Sequence, residues 1–257
     1  MTDDAPPPPR AAERVLRALA DAVGESRPRV AGDLADPDIP VAATVILARD
    51  AAEGLEVLLI ERPDRGSFAG AWVFPGGKLD PADAGADPTP SEEADARRAA
   101  VRETLEETGL VVDPGDLVPL SCWDPPPGLP LRIRTWFFAV RAPGGELRLE
   151  PREAVTARWM RPADALRGHA RGELTLYPPT WVTLTGLTEA VDVEGLLGAT
   201  RVAGVRIFET QVRRGAEGPV FFWREDEEYD REGGPSASGA RHRLEVGALP
   251  WIYTRDF

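Results

Sequence analysis

Residues 101–110, VRETLEETGL, place Glu103, Glu106 and Glu107 within five positions, with Arg102 beside them. With Glu103 at zero on a helical wheel, Glu107 lies at about +40°, Glu106 at about −60° and Arg102 at about −100°. Val101, Leu105, Thr108 and Ala94 fall between about 140° and 200°, so the pattern predicts a helix with a core face opposite a carboxylate face. Like charges at i,i+4 cost a helix only about 0.2–0.5 kcal/mol per pair, so a solvated acidic face is not excluded by energy alone. Context counts against it. Gly76 and Gly77 precede the helix and permit close backbone approach, and Arg102 can pair with a carboxylate and fix its orientation. Hard divalent cations need several carboxylate oxygens converging from a rigid support. Three glutamates at i, i+3 and i+4 supply them.

The rest of the composition narrows the ion. Cys122 is the only cysteine, and His169 and His242 are the only histidines. An intrachain disulfide and Cys/His zinc patterns are therefore excluded, and a metal site must be built from oxygen, which suits Mg²⁺ or Mn²⁺. The net charge of −13 argues against general nucleic-acid binding and against an anionic membrane surface. A small polyanionic substrate is compatible with that charge only where metal ions and local arginines offset the field. VAATVILA, the longest strongly apolar run, is far short of the ~18 residues a membrane span requires. MTDDAPPPPR has neither a basic nor an apolar signal region, so the expected location is the cytoplasm.

The elements that must carry these residues read as a mixed α/β fold. Residues 1–10 hold four consecutive prolines and read as extended or disordered. AAERVLRALADAV (11–23) has helical spacing with Gly24 as a stop, and residues 26–40 read as a linker. VAATVILA (41–48) and LEVLLIE (55–61) form two strands joined by a short turn. AWVFPGG is a third, ended by Pro75, Gly76 and Gly77. The glutamate helix is expected to start at Thr89 as cap, with Pro90 in the first turn and Glu92 closing a capping box; Thr108–Gly109 stops it. LRIRTWFFAV and TARWM read as strands, PADALRGHARG and PPTWVTLTGLTEAV as helices. In the tail, VRIFET, PVFFW, HRLEV and LPWIYT read as short strands around the acidic loop REDEEYDREGG. That loop is expected to be solvated, as are His169 and His242. Trp72, Phe74, Trp136, Phe137 and Phe138 are expected in the core.

The order Gly-Gly, acid, RExxEExG resembles the Nudix box, G-x5-E-x7-R-E-U-x-E-E-x-G-U, with U a bulky aliphatic. Gly77 matches its first glycine; Arg102, Glu103, Glu106, Glu107, Gly109 and Leu110 match its second half. Asp83, six residues after Gly77, matches the first acid with Asp in place of Glu. Two departures stand out: 18 residues, not 7, separate Asp83 from Arg102, an insertion of 11, and Thr104 replaces the first aliphatic. Because of the insertion, Asp83, Glu92 and Glu93 are all candidates for the first acid. EVLLIERP, SFAGAWVFPGGKLDPADA, LRIRTWFFAV, RWMRPADAL and LTLYPPTWVTLTGL further resemble the Nudix subgroup related to the peroxisomal coenzyme A diphosphatase. Bacterial members of that subgroup carry Asp where Arg134 stands here.

The resemblance implies a Nudix-type α/β/α sandwich with a mixed sheet over residues 39–200, an N-terminal extension (1–38) with one helix, and a β-rich C-terminal extension (201–257). It implies water attack on a diphosphate linking a nucleoside to a second group, such as coenzyme A, with ADP-ribose, NADH or nucleotide sugars as alternatives. A non-catalytic nucleotide-binding regulator is the rival of a different class. Glu103, Glu106 and Glu107 are then metal ligands, with the Gly76 carbonyl as a further one, and Arg102, Glu106 and Glu107 are catalytic. Glu106 or Glu153, the latter just before the RWM strand, is the candidate base; the alternative for Glu153 is a solvated loop acid. Lys78, Arg62 and Gly77 are candidates for contacting substrate. Covering the pocket, extending the sheet or forming a homodimer contact are the roles open to the tail.

Overall fold

The computed structural model describes residues 11–30, 32–33, 36–65, 68–85, 91–230 and 239–257. In chain order the elements are α1 (Ala11–Glu25), β1 (Val41–Ala51), β2 (Gly54–Glu61), β3 (Trp72–Val73), β4 (Gly76–Lys78), α2 (Glu92–Thr108), β5 (Val118–Asp124), β6 (Arg134–Arg141) and β7 (Thr156–Met160). Then follow α3 (Pro162–Ala170), α4 (Pro178–Leu187), α5 (Val193–Ala203), β8 (Arg206–Glu209), β9 (Gln211–Arg214), β10 (Pro219–Phe222), β11 (His242–Glu245) and β12 (Ile252–Arg255).

The main sheet runs β3-β2-β1-β6-β5-β8, with β4 also pairing β1 and β7 also pairing β2. It is mixed: β1–β6 and β5–β8 are parallel, the other pairs antiparallel. Period-two alternation sends β1 side chains to two cores. Ala43, Val45 and Leu47 meet Leu58, Phe138 and the alanines Ala96, Ala99 and Ala100 of α2. Ile46 and Ala48 face the other way, into a core with Leu59, Phe137, Leu184 and Leu197. Burial on both faces explains why this strand is a near-continuous apolar run.

β9–β12 form a second, antiparallel sheet. Its Trp223, Leu244 and Val246 belong to the same core as Ile46 and Leu59, and β8 joins the main sheet beside β5, where Phe208 stacks on Trp123 at 3.8 Å between centroids.

Several expectations change. α1 runs through Gly24 to Glu25. The third strand is two: a break at Phe74–Pro75 separates β3 from β4, and Gly76–Gly77 lie inside β4, paired with Thr44 and Ala43. β5, β9 and α5 had no counterpart in the sequence reading. α2 begins at Glu92 with Ser91 as its cap, the Ser91 hydroxyl accepting from the Ala94 N–H; Thr89 and Pro90, like residues 1–10, lie outside the described residues. The 26–40 stretch is anchored: Arg29 is buried against Asp124, and Arg27 pairs with the buried Asp33. Both histidines are buried, not surface residues. His169 packs edge-on to Trp251 with Nδ1 on the Leu174 carbonyl. His242 lies between Glu225 and the Tyr253 hydroxyl. The described part of the acidic loop is solvated only in part: Arg224, Glu225, Glu227 and Asp230 are exposed, whereas Asp226 and Glu228 are buried and paired with Arg243 and Arg241.

Candidate metal centre

The buried face of α2 is Ala96, Ala99, Ala100, Thr104, Glu107 and Thr108, between about −40° and +140° on the wheel used above. This corrects the expected orientation, because Leu105 is 48% exposed. Alanines are small enough to let the helix lie close on β1 and β4, so the side carrying Glu103 and Glu107 is the inward one. Thr104, the departure from the aliphatic position, is fully buried and satisfied by donating to the Ala100 carbonyl at 2.7 Å. Gly109 ends the helix in the left-handed region (φ 73°), its N–H on the Leu105 carbonyl, as Gly at this position permits.

Backbone meets the carboxylates at β4. The Gly76 N–H donates to Glu107 Oε2 at 2.7 Å. Gly76 has φ +154°, and a Cβ there would sit 2.2 Å from the Ala43 carbonyl oxygen. A Cβ on Gly77 would lie 2.4 Å from the Glu103 carboxylate. Each glycine therefore answers a separate steric demand, one from β1 and one from the glutamate.

Glu103, Glu107 and Glu153 each bring a carboxylate oxygen to within 4.8 Å of the others, and no other such acidic or histidine cluster occurs among the described residues. Glu153 is carried there from the turn before β7, fixed by the Val155 N–H on the Glu61 carbonyl and by β7 pairing along β2. It is partly buried there. Glu106 stands apart, half-exposed, with its carboxylate 3.0 Å from Arg102 Nη1.

Arg102 organises the approach. It binds Glu103 and Glu106 through Nη1, Asp83 through Nη2 and Nε, and the Lys78 carbonyl through Nη2. Asp83, in the 3-10 turn Pro81–Asp83, also accepts from the Asp80 N–H. Of the three candidates for the first acid, only Asp83 touches Arg102: Glu92 binds Arg134 and Trp136, and Glu93 binds Arg97. The six-residue spacing from Gly77 was the sequence signal for Asp83, and the insertion obscured it.

Charge and burial conflict at this centre. Burial pushes Glu107 up to about 8, against the Gly76 N–H, which favours the anion; Glu103 is a further repulsive neighbour. Arg62 lies 3.9 Å from Glu107. Glu103 is raised by burial too, against the lowering effect of Arg102. Converging carboxylates that are costly to ionise alone, with hard oxygen donors and no sulfur or imidazole in the cluster, are the donor set a hard divalent cation fits. Lys78 is exposed. The Gly76 N–H, not its carbonyl, is the atom bonded to the cluster.

The NUDIX domain profile matches residues 38–178. The fold is similar to the crystal structure of a NUDIX hydrolase from Alicyclobacillus acidocaldarius, with a TM-score of 0.56, 25% identity, and 63% of this chain and 96% of that chain covered. Weaker similarity extends to a MutT NUDIX hydrolase from Burkholderia pseudomallei (TM-score 0.44, 25% identity, 58% and 97% covered). It extends also to the NUDIX domain of Shewanella oneidensis NrtR, complexed with ADP ribose (TM-score 0.45, 17% identity, 65% and 94% covered). A search of curated proteins returned no match. With the profile spanning more than half of its 257 residues and the box arranged around β4 and α2, the chain belongs to the NUDIX domain family and is a Nudix hydrolase.

Proposed function

We propose that the protein hydrolyses the diphosphate of a nucleoside diphosphate linked to a second moiety, with Mg²⁺ or Mn²⁺ as cofactor. The observation that carries this reading is the convergence of Glu103, Glu107 and Glu153 beside the Gly-Gly strand. Glu103, Glu107 and Glu153 would hold the ion, and Glu106 and the Gly76 carbonyl are further candidate ligands. A bound divalent cation lowers the pKa of water and neutralises charge developing on phosphoryl oxygens. The protein's own part is orientation. Arg102 holds Glu103 and Glu106 in place, and Asp83 holds Arg102. Glu106 or Glu153 accepts the proton of the attacking water. Arg62, half-buried beside Glu107, and Lys78, on the exposed end of β4, meet the phosphates.

Coenzyme A is the first substrate choice, on the sequence resemblance outside the box. Arg134, where that subgroup carries Asp, is bound to Glu92 and Asp124, so its contribution is to tie α2 to β5 and β6. A panel of coenzyme A, ADP-ribose, NADH and nucleotide sugars with Mg²⁺ or Mn²⁺ tests the reading. Coenzyme A turnover yields 3′,5′-ADP and 4′-phosphopantetheine; turnover of ADP-ribose alone reassigns the substrate. Binding without product from any member, under either metal, would leave a regulatory module.

A further inference from the structure

On the far side of the main sheet from α2, a cavity of about 270 Å³ opens between α4, β5, β8 and β12. Leu120, Val182 and Phe208 form its apolar wall and belong to the core under α4, whereas the metal centre borders the core under α2. Its polar wall holds Arg206, Arg255, Tyr253 and Thr183. Among the described residues, Arg206 and Arg255 have no carboxylate within 4.0 Å, and the hydroxyl of Thr183 has no hydrogen-bond partner. Tyr253 is pinned from behind, its hydroxyl 2.9 Å from His242 Nε2, while Glu225 holds the same ring at Nδ1.

The two arginines are conspicuous in a chain with 43 acidic residues against 30 basic ones. Nearby Arg224, Arg241 and Arg243, in the same C-terminal region, all have carboxylate partners. Arg206 is instead half-buried beside a like charge, and both burial and Arg255 hold it below the usual guanidinium range. The one carboxylate lining the cavity, Glu189, is exposed and out of pairing distance of both. Two guanidinium groups and a hydroxyl lining one cavity supply the donors that a phosphate-type dianion takes. The volume lies just below the ~300 Å³ at which ordinary ligand pockets begin, a size suited to a small phosphorylated molecule.

We infer that Arg206, Arg255 and Thr183 form an anion site, separate from the hydrolytic centre, that binds a small phosphate-bearing ligand and clamps the C-terminal sheet to α4 and the main sheet. A ligand that binds only the folded state raises the melting temperature, by an amount that grows with the logarithm of its concentration above the dissociation constant. The test is calorimetric titration and thermal unfolding of the full chain with inorganic phosphate, without divalent metal. Wild type, Arg206→Gln, Arg255→Gln and the control Arg62→Gln/Lys78→Gln are compared, with circular dichroism confirming the fold of each. Wild type and control are expected to bind phosphate and melt higher with it. In Arg206→Gln and in the exposed Arg255→Gln the affinity is expected to fall by at least about tenfold. An undiminished response in Arg255→Gln, or no phosphate response in wild type, overturns the inference. A response lost only in the Arg62/Lys78 control does so as well, by placing the phosphate at the hydrolytic centre.

Discussion

Glu107 is 2% exposed, receives one backbone N–H, and faces two other acids. A neutral amide of the same shape avoids its desolvation cost. Glu107→Gln is therefore expected to keep or raise the melting temperature while lowering kcat on the order of 10²–10⁴-fold; near-normal kcat would remove Glu107 from the mechanism. His169 makes a different prediction. Burial lowers it from 6.5 to about 4, so between those values the unfolded chain binds the proton and the folded chain does not. Stability from this group is complete above pH 6.5 and declines as pH falls toward 4. The difference in melting temperature between wild type and His169→Gln is expected to shift in favour of the variant over that window; a pH-independent difference would show that His169 is not the group responsible. At this scale Glu103, Glu107 and Arg102 were legible from spacing alone, whereas Glu106, of the same run, stands apart from the cluster. Glu153 was named only as a candidate base; that it meets Glu103 and Glu107 was not legible, because its position depends on β7 pairing with β2, a contact across the sheet that no local pattern encodes. The burial of both histidines was hidden for the same reason: their partners, Trp251 and Tyr253, come from the last turns of the chain.

At the scale of elements, the centre depends on how closely α2 and β4 meet. The alanine face of α2 sets that distance, and the absence of a side chain at Gly77 leaves room for the Glu103 carboxylate. Gly77→Ala is expected to displace Glu103, which a Cβ would approach to 2.4 Å. Titration with Mg²⁺ should show an affinity loss of roughly 10–100-fold, the size seen when a ligand's supporting contact is removed. The change in stability should be small, because the atoms a Cβ on Gly77 would meet are all at the end of the flexible Glu103 side chain and not in backbone. Unchanged affinity would mean that the glutamate re-seats without cost. The strands and helices from 41 to 187 were largely legible from period-two and helical patterning. The wheel misread the orientation of α2, because it ranked Val101 and Leu105 above alanines as core formers. The β4 break was missed because Gly-Gly reads as a stop when considered locally, while here β1 pairs with it.

For the whole molecule, the profile match ends at 178, yet the core does not. Phe208, Trp223, Leu244 and Trp251 are all buried with Ile46 and Leu59. At about 1.5–3 kcal/mol for each large buried side chain, losing these four removes roughly 6–12 kcal/mol, comparable to a typical domain's total stability of about 5–15 kcal/mol. A chain ending at residue 204 is therefore expected to lose its cooperative thermal transition by circular dichroism; a sharp transition in the shortened protein would make the extension dispensable to folding. The sequence shows that the tail is β-rich. It does not show that β8 adds to the main sheet, since a parallel partner 80 or so residues away in the chain leaves no periodic trace. The seam between the sheets also has an optical consequence. Trp123 of the main sheet and Trp223 beside the second one lie 5.7 Å apart at 87°, each indole N–H bonded to a hydroxyl, of Ser121 and Thr210 respectively. Indoles this close and this rigid share their excited state, so the chain carries a built-in chiroptical reporter: an exciton signal in the far ultraviolet that vanishes when the two sheets part, whatever happens to the helices.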